Sequence, residues 1–215
     1  MALRVLLADD QALVRTGFRL MLESTPDLIV VGEAANGIEA VRLALSTQPD
    51  VVLMDVRMPT MNGIDATRRI VAETPSRVLI LTTFDLDEYA YEGLRAGASG
   101  FLLKDVLPSA LYDAIRAVSG GDAVLTPRIT RDLLDQLAVR QAAPDLPSLE
   151  SLALLTPRER DVFLSIAAGL SNAEIAAALF LSEATVKTHI TRLLAKLQLR
   201  DRVQVVIFAY QRNLA

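Results

Sequence analysis

The chain has no cysteine and only one histidine, His189. Without cysteine there can be no disulfide, thiolate metal centre or cysteine nucleophile, and a reducing compartment suits the chain. A lone histidine makes neither a metal site nor a catalytic triad, so His189 reads as a packing or hydrogen-bonding residue at the edge of its helix. No apolar run approaches the roughly 18–20 residues of a membrane span. Met1-Ala2-Leu3-Arg4-Val5 runs directly into strand-like sequence, leaving no room for a signal peptide, so a cytoplasmic protein without membrane contact is expected. Internal repeats and low-complexity tracts are missing too. No Gly-x-Gly-x-x-Gly follows the first strand candidate, which removes the phosphate cradle of a dinucleotide-binding protein.

What is present suits two packed domains: 215 residues, 52% hydrophobic and 22% charged. The net charge of −4 argues against a nucleic-acid partner only until the chain is divided. Residues 152–215 carry eight arginines and lysines against five carboxylates, a balance of +3, which leaves −7 for the remainder. An acidic part and a basic part imply different partners.

The first 120 or so residues alternate short apolar runs with helix-period stretches. Strands are expected at Arg4–Ala8, Leu28–Glu33, Val51–Met54, Val78–Leu81 and Gly100–Leu103. Helices are expected at Leu13–Leu22, Ile38–Leu45, Ala66–Glu73, Glu88–Ala96 and Ser109–Val118, with Pro108 where a first-turn proline is tolerated. Five such alternations imply a doubly wound α/β fold, a flavodoxin-like five-stranded parallel sheet. Ile129–Arg140 can form a helix, and Gln141 to Ser148, with Pro144 and Pro147, reads as linker. Beyond Leu155 the pattern is all-helical. Thr156-Pro157-Arg158-Glu159 and Ser171-Asn172-Ala173-Glu174 are capping boxes, and Ser182 caps a third helix. Four helices follow, near 157–168, 172–179, 183–197 and 202–211, and only Phe180-Leu181 separates the second from the third. That is helix-turn-helix geometry.

Ligands of an open parallel sheet bind beyond the carboxyl ends of its strands. Those ends carry Asp9 and Asp10, Asp55, Thr82 and Thr83, and Lys104. Carboxylates brought this close repel one another and call for a hard divalent cation, magnesium fitting best. Magnesium attracts phosphate, to which Thr82 and Lys104 offer a donor and a positive charge. An isolated Asp-Asp pair is usually a solvated loop; here the coincidence at separate strand ends carries the reading. An aspartate-nucleophile phosphatase is the enzymatic alternative, but it wants a second carboxylate just after the nucleophile, and Arg57 stands two residues on.

Through Asp9-Asp10, the loop from Asp55 to Gly63, Thr82 and Phe101-Leu102-Leu103-Lys104, residues 3–120 resemble the receiver domain of two-component signalling. The resemblance implies that Asp55 accepts a phosphoryl group from a histidine kinase. It also implies that Asp10, Asp55 and the Arg57 backbone carbonyl hold Mg2+, Asp9 contributing through water. Lys104 then pairs with the phosphorylated Asp55, Thr82 swings toward the phosphoryl oxygens, and Phe101 stands at the family's switch aromatic, often tyrosine. Asp105 follows Lys104 where many receivers have proline, so the usual cis-proline is absent.

The third C-terminal helix has an apolar stripe at Val186, Ile190, Leu193, Leu194 and Leu197. Its opposite stripe, Lys187, Thr188, Thr191, Arg192 and Lys196, has no carboxylate and suits the major groove of double-stranded DNA, although an ordinary solvated face looks much the same. Leu155 to Glu159, Gly169 to Ala176 and Leu181 to His189 resemble the LuxR-type DNA-binding domain. Together the resemblances place the chain in the NarL/FixJ subfamily: a receiver at 1–122, a partly helical linker at 123–151 and the DNA-binding domain at 152–215. They imply a non-enzymatic transcriptional regulator that dimerises on two half-sites, its recognition helix masked by the receiver until phosphorylation. A DNA-binding regulator switched by a ligand or partner, independently of phosphate, is the other reading.

Overall fold

The computed structural model describes residues 2–82, 92–122, 124, 149–212 and 214. The chain divides into two compact units, Met1–Ile129 and Thr130–Ala215. In the first, β1 (Leu3–Ala8), β2 (Leu28–Ala34), β3 (Val51–Asp55), β4 (Arg77–Thr82) and β5 (Gly100–Leu103) form one sheet. Helices α1 (Ala12–Glu23), α2 (Gly37–Thr47), α3 (Gly63–Glu73) and α4 (Pro108–Ser119) connect or follow them, and residues 92–95 make a further helical turn. All pairings are parallel, in the order β2-β1-β3-β4-β5. The expected helix at Glu88–Ala96 is described only in this last turn, and Ile129–Arg140 and Thr83 lie outside the described residues.

The strands form where the apolar runs predict because this sheet is covered on both sides. β3 is buried at every residue, whereas β2, at the edge, leaves Ile29 half exposed. Val5, Leu7, Val51, Leu53, Leu79 and Leu81 share one face and one core with Phe18 and Leu22 of α1 and Leu111, Ile115 and Val118 of α4. Alternation along the strands puts Asp9 and Asp55 on the parity of that face, each one step beyond its last buried leucine. The order places β1 beside β3 at the point where the winding reverses, and Ala8 pairs with Met54 there. This crevice is where such a sheet binds ligands.

Among its described residues the second unit has a 3-10 turn, Leu149–Leu154, followed by α5 (Pro157–Ala167), α6 (Asn172–Leu179), α7 (Glu183–Leu197) and α8 (Arg202–Gln211). Each start is chemically marked. The Thr156 and Ser171 hydroxyls accept from the backbone N–H groups of Glu159 and Glu174, and both glutamates reach back, so both capping boxes are complete. Ser182 and Asp201 accept from Thr185 N–H and Gln204 N–H. Such caps typically contribute about 1 kcal/mol each, which matters for helices this short. Val162, Phe163, Ile166, Ile175, Val186, Ile190, Leu193, Leu197 and Phe208 make the core, with Phe163 and Phe208 edge to face at 5.9 Å. Leu152 and Leu155 pack on this core, so the 3-10 turn that begins at Leu149, inside the expected linker, belongs with the helical unit.

Candidate functional site

Four charged side chains meet at the carboxyl edge of β1, β3 and β5. Asp9, Asp10 and Asp55 each bring a carboxylate oxygen within 4.8 Å of the others. Lys104 Nζ lies 2.6 Å from Asp9 Oδ2 and 3.1 Å from Asp55 Oδ1, its side chain 10% exposed. Asp9 and Asp55 are buried, at 4% and 6% exposure, and Asp10 is exposed. The ammonium thus bridges the two buried carboxylates. Of its two partners Asp9 is the nearer.

The backbone holds these groups from several sides. Gln11 N–H donates to Asp9 Oδ1 at 2.9 Å, and Arg15, at the start of α1, donates to the Asp9 carbonyl at 2.6 Å. Lys104 N–H donates to the Thr82 carbonyl at 2.8 Å, extending the β4–β5 ladder by one step and fixing where the lysine leaves the sheet. Thr82 is buried at the end of β4, on the strand beside β3. All peptides among the described residues are trans, including that joining Lys104 and Asp105.

The loop after Asp55 closes tightly. Gly63 N–H donates to the Val56 carbonyl at 2.8 Å, bringing the first residue of α3 against the end of β3. A Cβ on Gly63 would stand 1.9 Å from the Asp55 carbonyl oxygen, a backbone collision no rotamer can relieve. Gly63→Ala is therefore expected to displace Asp55, with a stability cost of about 1–3 kcal/mol as for other overpacked sites. Thermal unfolding and the rate of phosphate incorporation together check this. Phe101, fully buried, lies under the helical turn at 92–95, where a Cβ on Gly93 would come 2.6 Å from its ring. The ring is packed inward, with Gly93 close against it.

The electrostatics of the cluster are one-sided. Three carboxylates and one ammonium leave a formal charge of −2. Burial pushes the Asp55 carboxyl above its ordinary 3.8, Lys104 pulls it back, and the Asp9 and Asp10 charges push it up again. Asp9 Oδ2 is buried and makes no aligned hydrogen bond, its contact with Lys104 being ionic. An oxygen-only donor set and a surplus of two negative charges fit a divalent hard cation.

In the second unit, Val186, Ile190, Leu193, Leu194 and Leu197 of α7 are buried, and Lys187, Thr188, Thr191 and Arg192 are exposed. Thr188 and Thr191 hydroxyls donate to the carbonyls of Ala184 and Lys187, which turns their remaining lone pairs outward. Phe180, in the turn before α7, adopts φ 56° and is 95% exposed. His189 is half-buried, with its Nδ1 buried and without a hydrogen-bond partner.

Lys196, on the same stripe by spacing, is half-buried. Its Nζ lies 2.6 Å from Glu159 Oε2, and Glu159 is buried. The capping box gives Glu159 a complete local role, so nothing in the sequence points to a second partner 37 residues away. The Lys196 ammonium holds the Glu159 carboxyl below its ordinary 4.5, with burial opposing. The pair's contribution to stability is then complete above pH 4.5 and lost as pH falls through the lower folded value. In thermal melts of the wild-type chain, stability should drop across that acid window, and drop less for Glu159→Gln.

Comparison with known proteins identifies a family for each of the two units. Residues 5–116 match the family described as "Response regulator receiver domain", and residues 153–209 match "Bacterial regulatory proteins, luxR family". The chain is 45% identical over 213 residues to the "Uncharacterized transcriptional regulatory protein YxjL" of Bacillus subtilis (strain 168), covering 99% of this chain and 97% of that one. It is 41% identical over 213 residues to the transcriptional regulatory protein LiaR of the same strain, covering 99% of each. Among solved structures it is similar to the response regulator ChrA of a heme-sensing two-component system, at 37% identity and a TM-score of 0.53, covering 100% of this chain and 99% of that one.

Proposed function

Because the chain belongs to the response regulators that join a receiver domain to a LuxR-family DNA-binding domain, we propose that it is switched by phosphorylation of Asp55. The observation that carries this reading is the Lys104-bridged cluster of Asp9, Asp10 and Asp55 at the switch point of the sheet. A carboxylate oxygen of Asp55 attacks the phosphorus of a phosphohistidine on a partner kinase. The P–N bond breaks as the P–O bond forms, and the departing imidazole nitrogen takes a proton from solvent. Burial deprives the Asp55 carboxylate of water, and Lys104 holds it in place for this attack. Asp10, Asp55 and the Arg57 carbonyl, with Asp9 acting through water, would hold magnesium, whose charge offsets that of the incoming phosphoryl group.

The product carries about −1.5 to −2 charges and three acceptor oxygens. Lys104 exchanges its contact with Asp55 Oδ1 for a phosphoryl oxygen, and the Thr82 hydroxyl donates to another. Phe101 then repacks against the turn bearing Gly93, and the receiver's surface changes with it. The output is DNA binding by a two-fold dimer on two half-sites. DNA footprinting with and without acetyl phosphate and magnesium tests the proposal: protection should extend or strengthen with the phosphodonor. An identical footprint in both conditions would turn the reading to a regulator controlled by a ligand or partner.

On the DNA side, Lys187, Thr188, Thr191 and Arg192 are the groove-facing residues of α7. Lys187→Ala and Arg192→Ala are each expected to flatten the dependence of log affinity on log salt by about 0.9 where the lost cation met a phosphate. If it met a guanine edge instead, the loss falls on one base position of the site. Salt titrations of binding on matched and mismatched duplexes separate the two.

A further inference from the structure

We infer that Glu159 is a positioning residue for DNA recognition, its buried carboxylate clipping Lys196 so as to set the roll of α7 against α5. The inference rests on the reading that α7 enters the groove. One oxygen, Glu159 Oε2, accepts both from Thr156 N–H at 2.8 Å and from Lys196 Nζ at 2.6 Å. The first bond closes the capping box at the start of α5, so the acceptor is held by the backbone before the lysine reaches it. Glu159 is 3% exposed, whereas a solvated i,i+4 pair would leave its carboxylate in water. The clip therefore joins the rigid first turn of one helix to the last turn of the recognition helix.

The core that these helices share, with Val162, Phe163 and Ile166 of α5 and Val186, Ile190, Leu193 and Leu197 of α7, is apolar. Apolar burial is non-directional, and an aliphatic interface keeps most of its energy through a small rotation of one helix. A charged hydrogen bond to a fixed acceptor does not. A roll of about 20° at a side-chain radius of about 5 Å carries a side-chain tip roughly 2 Å, which is enough to break a hydrogen bond to a base edge. Ser182 caps the amino end of α7 through Thr185 N–H, and the Glu159 clip ties the carboxyl end to α5. Thr188, Thr191 and Arg192 project from the span between. On this account Lys196 serves DNA binding without touching DNA.

The test uses the full chain and a duplex that the wild-type chain selects from a randomised pool, with a scrambled duplex beside it. Glu159→Gln keeps an acceptor for Thr156 N–H, since glutamine also completes a capping box, and removes the charge. Lys196→Met keeps the stem and removes the ammonium. At a temperature where circular dichroism shows each variant folded, both should bind the selected duplex about tenfold more weakly, the loss expected for one mis-set base contact. Affinity for the scrambled duplex should stay within about twofold, because backbone attraction does not depend on register. Lys196→Met should keep the wild-type salt dependence, and Lys196→Arg should restore selectivity.

A fall of about 0.9 in the salt slope of Lys196→Met would make Lys196 a phosphate contact and overturn the inference. An unchanged preference for the selected duplex in folded Glu159→Gln would reduce the pair to a stabilising contact. Lys187→Ala and Arg192→Ala are run alongside. If neither alters binding to either duplex, the groove reading of α7 is what fails; if they weaken it and Glu159→Gln does not, only the positioning role falls.

Discussion

Asp55→Asn is expected to end phosphate incorporation from acetyl phosphate while making the protein more stable. Asparagine matches aspartate in shape but has no charged oxygen to attack phosphorus, so magnesium-dependent labelling should drop to background. The stability gain follows from the sign of the Asp55 shift. Burial raises its carboxyl above 3.8, so the folded state holds the proton more tightly than the unfolded chain. Stability on this account is full below pH 3.8 and declines as pH rises through the higher folded value. At neutral pH wild type therefore carries a cost that a neutral side chain avoids, and the variant reduces the cluster from −2 to −1. In chelator its unfolding free energy should exceed that of wild type by about 0.5–2 kcal/mol, a gain typical of disarmed functional sites. Mass spectrometry after phosphodonor treatment and paired thermal melts read the two effects. Persistent labelling of Asp55→Asn would remove Asp55 from its role, and a less stable variant would mean the cluster is not strained by its own charge.

The residues that make this site were legible because they stand where local pattern changes to turn. Asp9, Asp55 and Lys104 each close an apolar strand run, and the parallel order of such runs gathers their ends on one edge. The helix starts at Thr156, Ser171 and Ser182 were equally plain, since a cap is a contact across three residues. The stripe of α7 was legible from period alone, and its apolar members are buried as that period requires. Partners across the fold were not legible from spacing, and only the family resemblance joins Lys104 to Asp55. That Lys104 sits between Asp9 and Asp55 depends on the registers of β1, β3, β4 and β5, which no spacing encodes. Glu159 hid behind its own cap: its local role was complete, so its long-range role left no residue unexplained. By sequence Gly63 is only a loop glycine, and the closeness of α3 to the Asp55 carbonyl shows why no side chain fits.

Lys104→Met is the complementary experiment, and its sign is opposite to that of Asp55→Asn. Removing the ammonium leaves Asp9 and Asp55 buried without a counter-charge and takes the cluster to −3. Breaking a buried pair by deleting one partner typically costs about 3–5 kcal/mol, against under 1 kcal/mol for an exposed pair. In chelator the variant should melt on the order of 10 °C below wild type. Magnesium should recover more stability in the variant than in wild type, because a denser negative cluster binds the ion more tightly and only when folded. At a hundredfold excess over its dissociation constant a ligand contributes about 2.7 kcal/mol. Labelling of Asp55 should survive at a reduced rate, yet the footprint should no longer respond to it, since the group that senses the new phosphoryl charge is gone. Equal melting of variant and wild type in chelator would show that the ammonium is not the counter-charge of the pocket, and the relay from Asp55 to the rest of the receiver would then have to begin elsewhere.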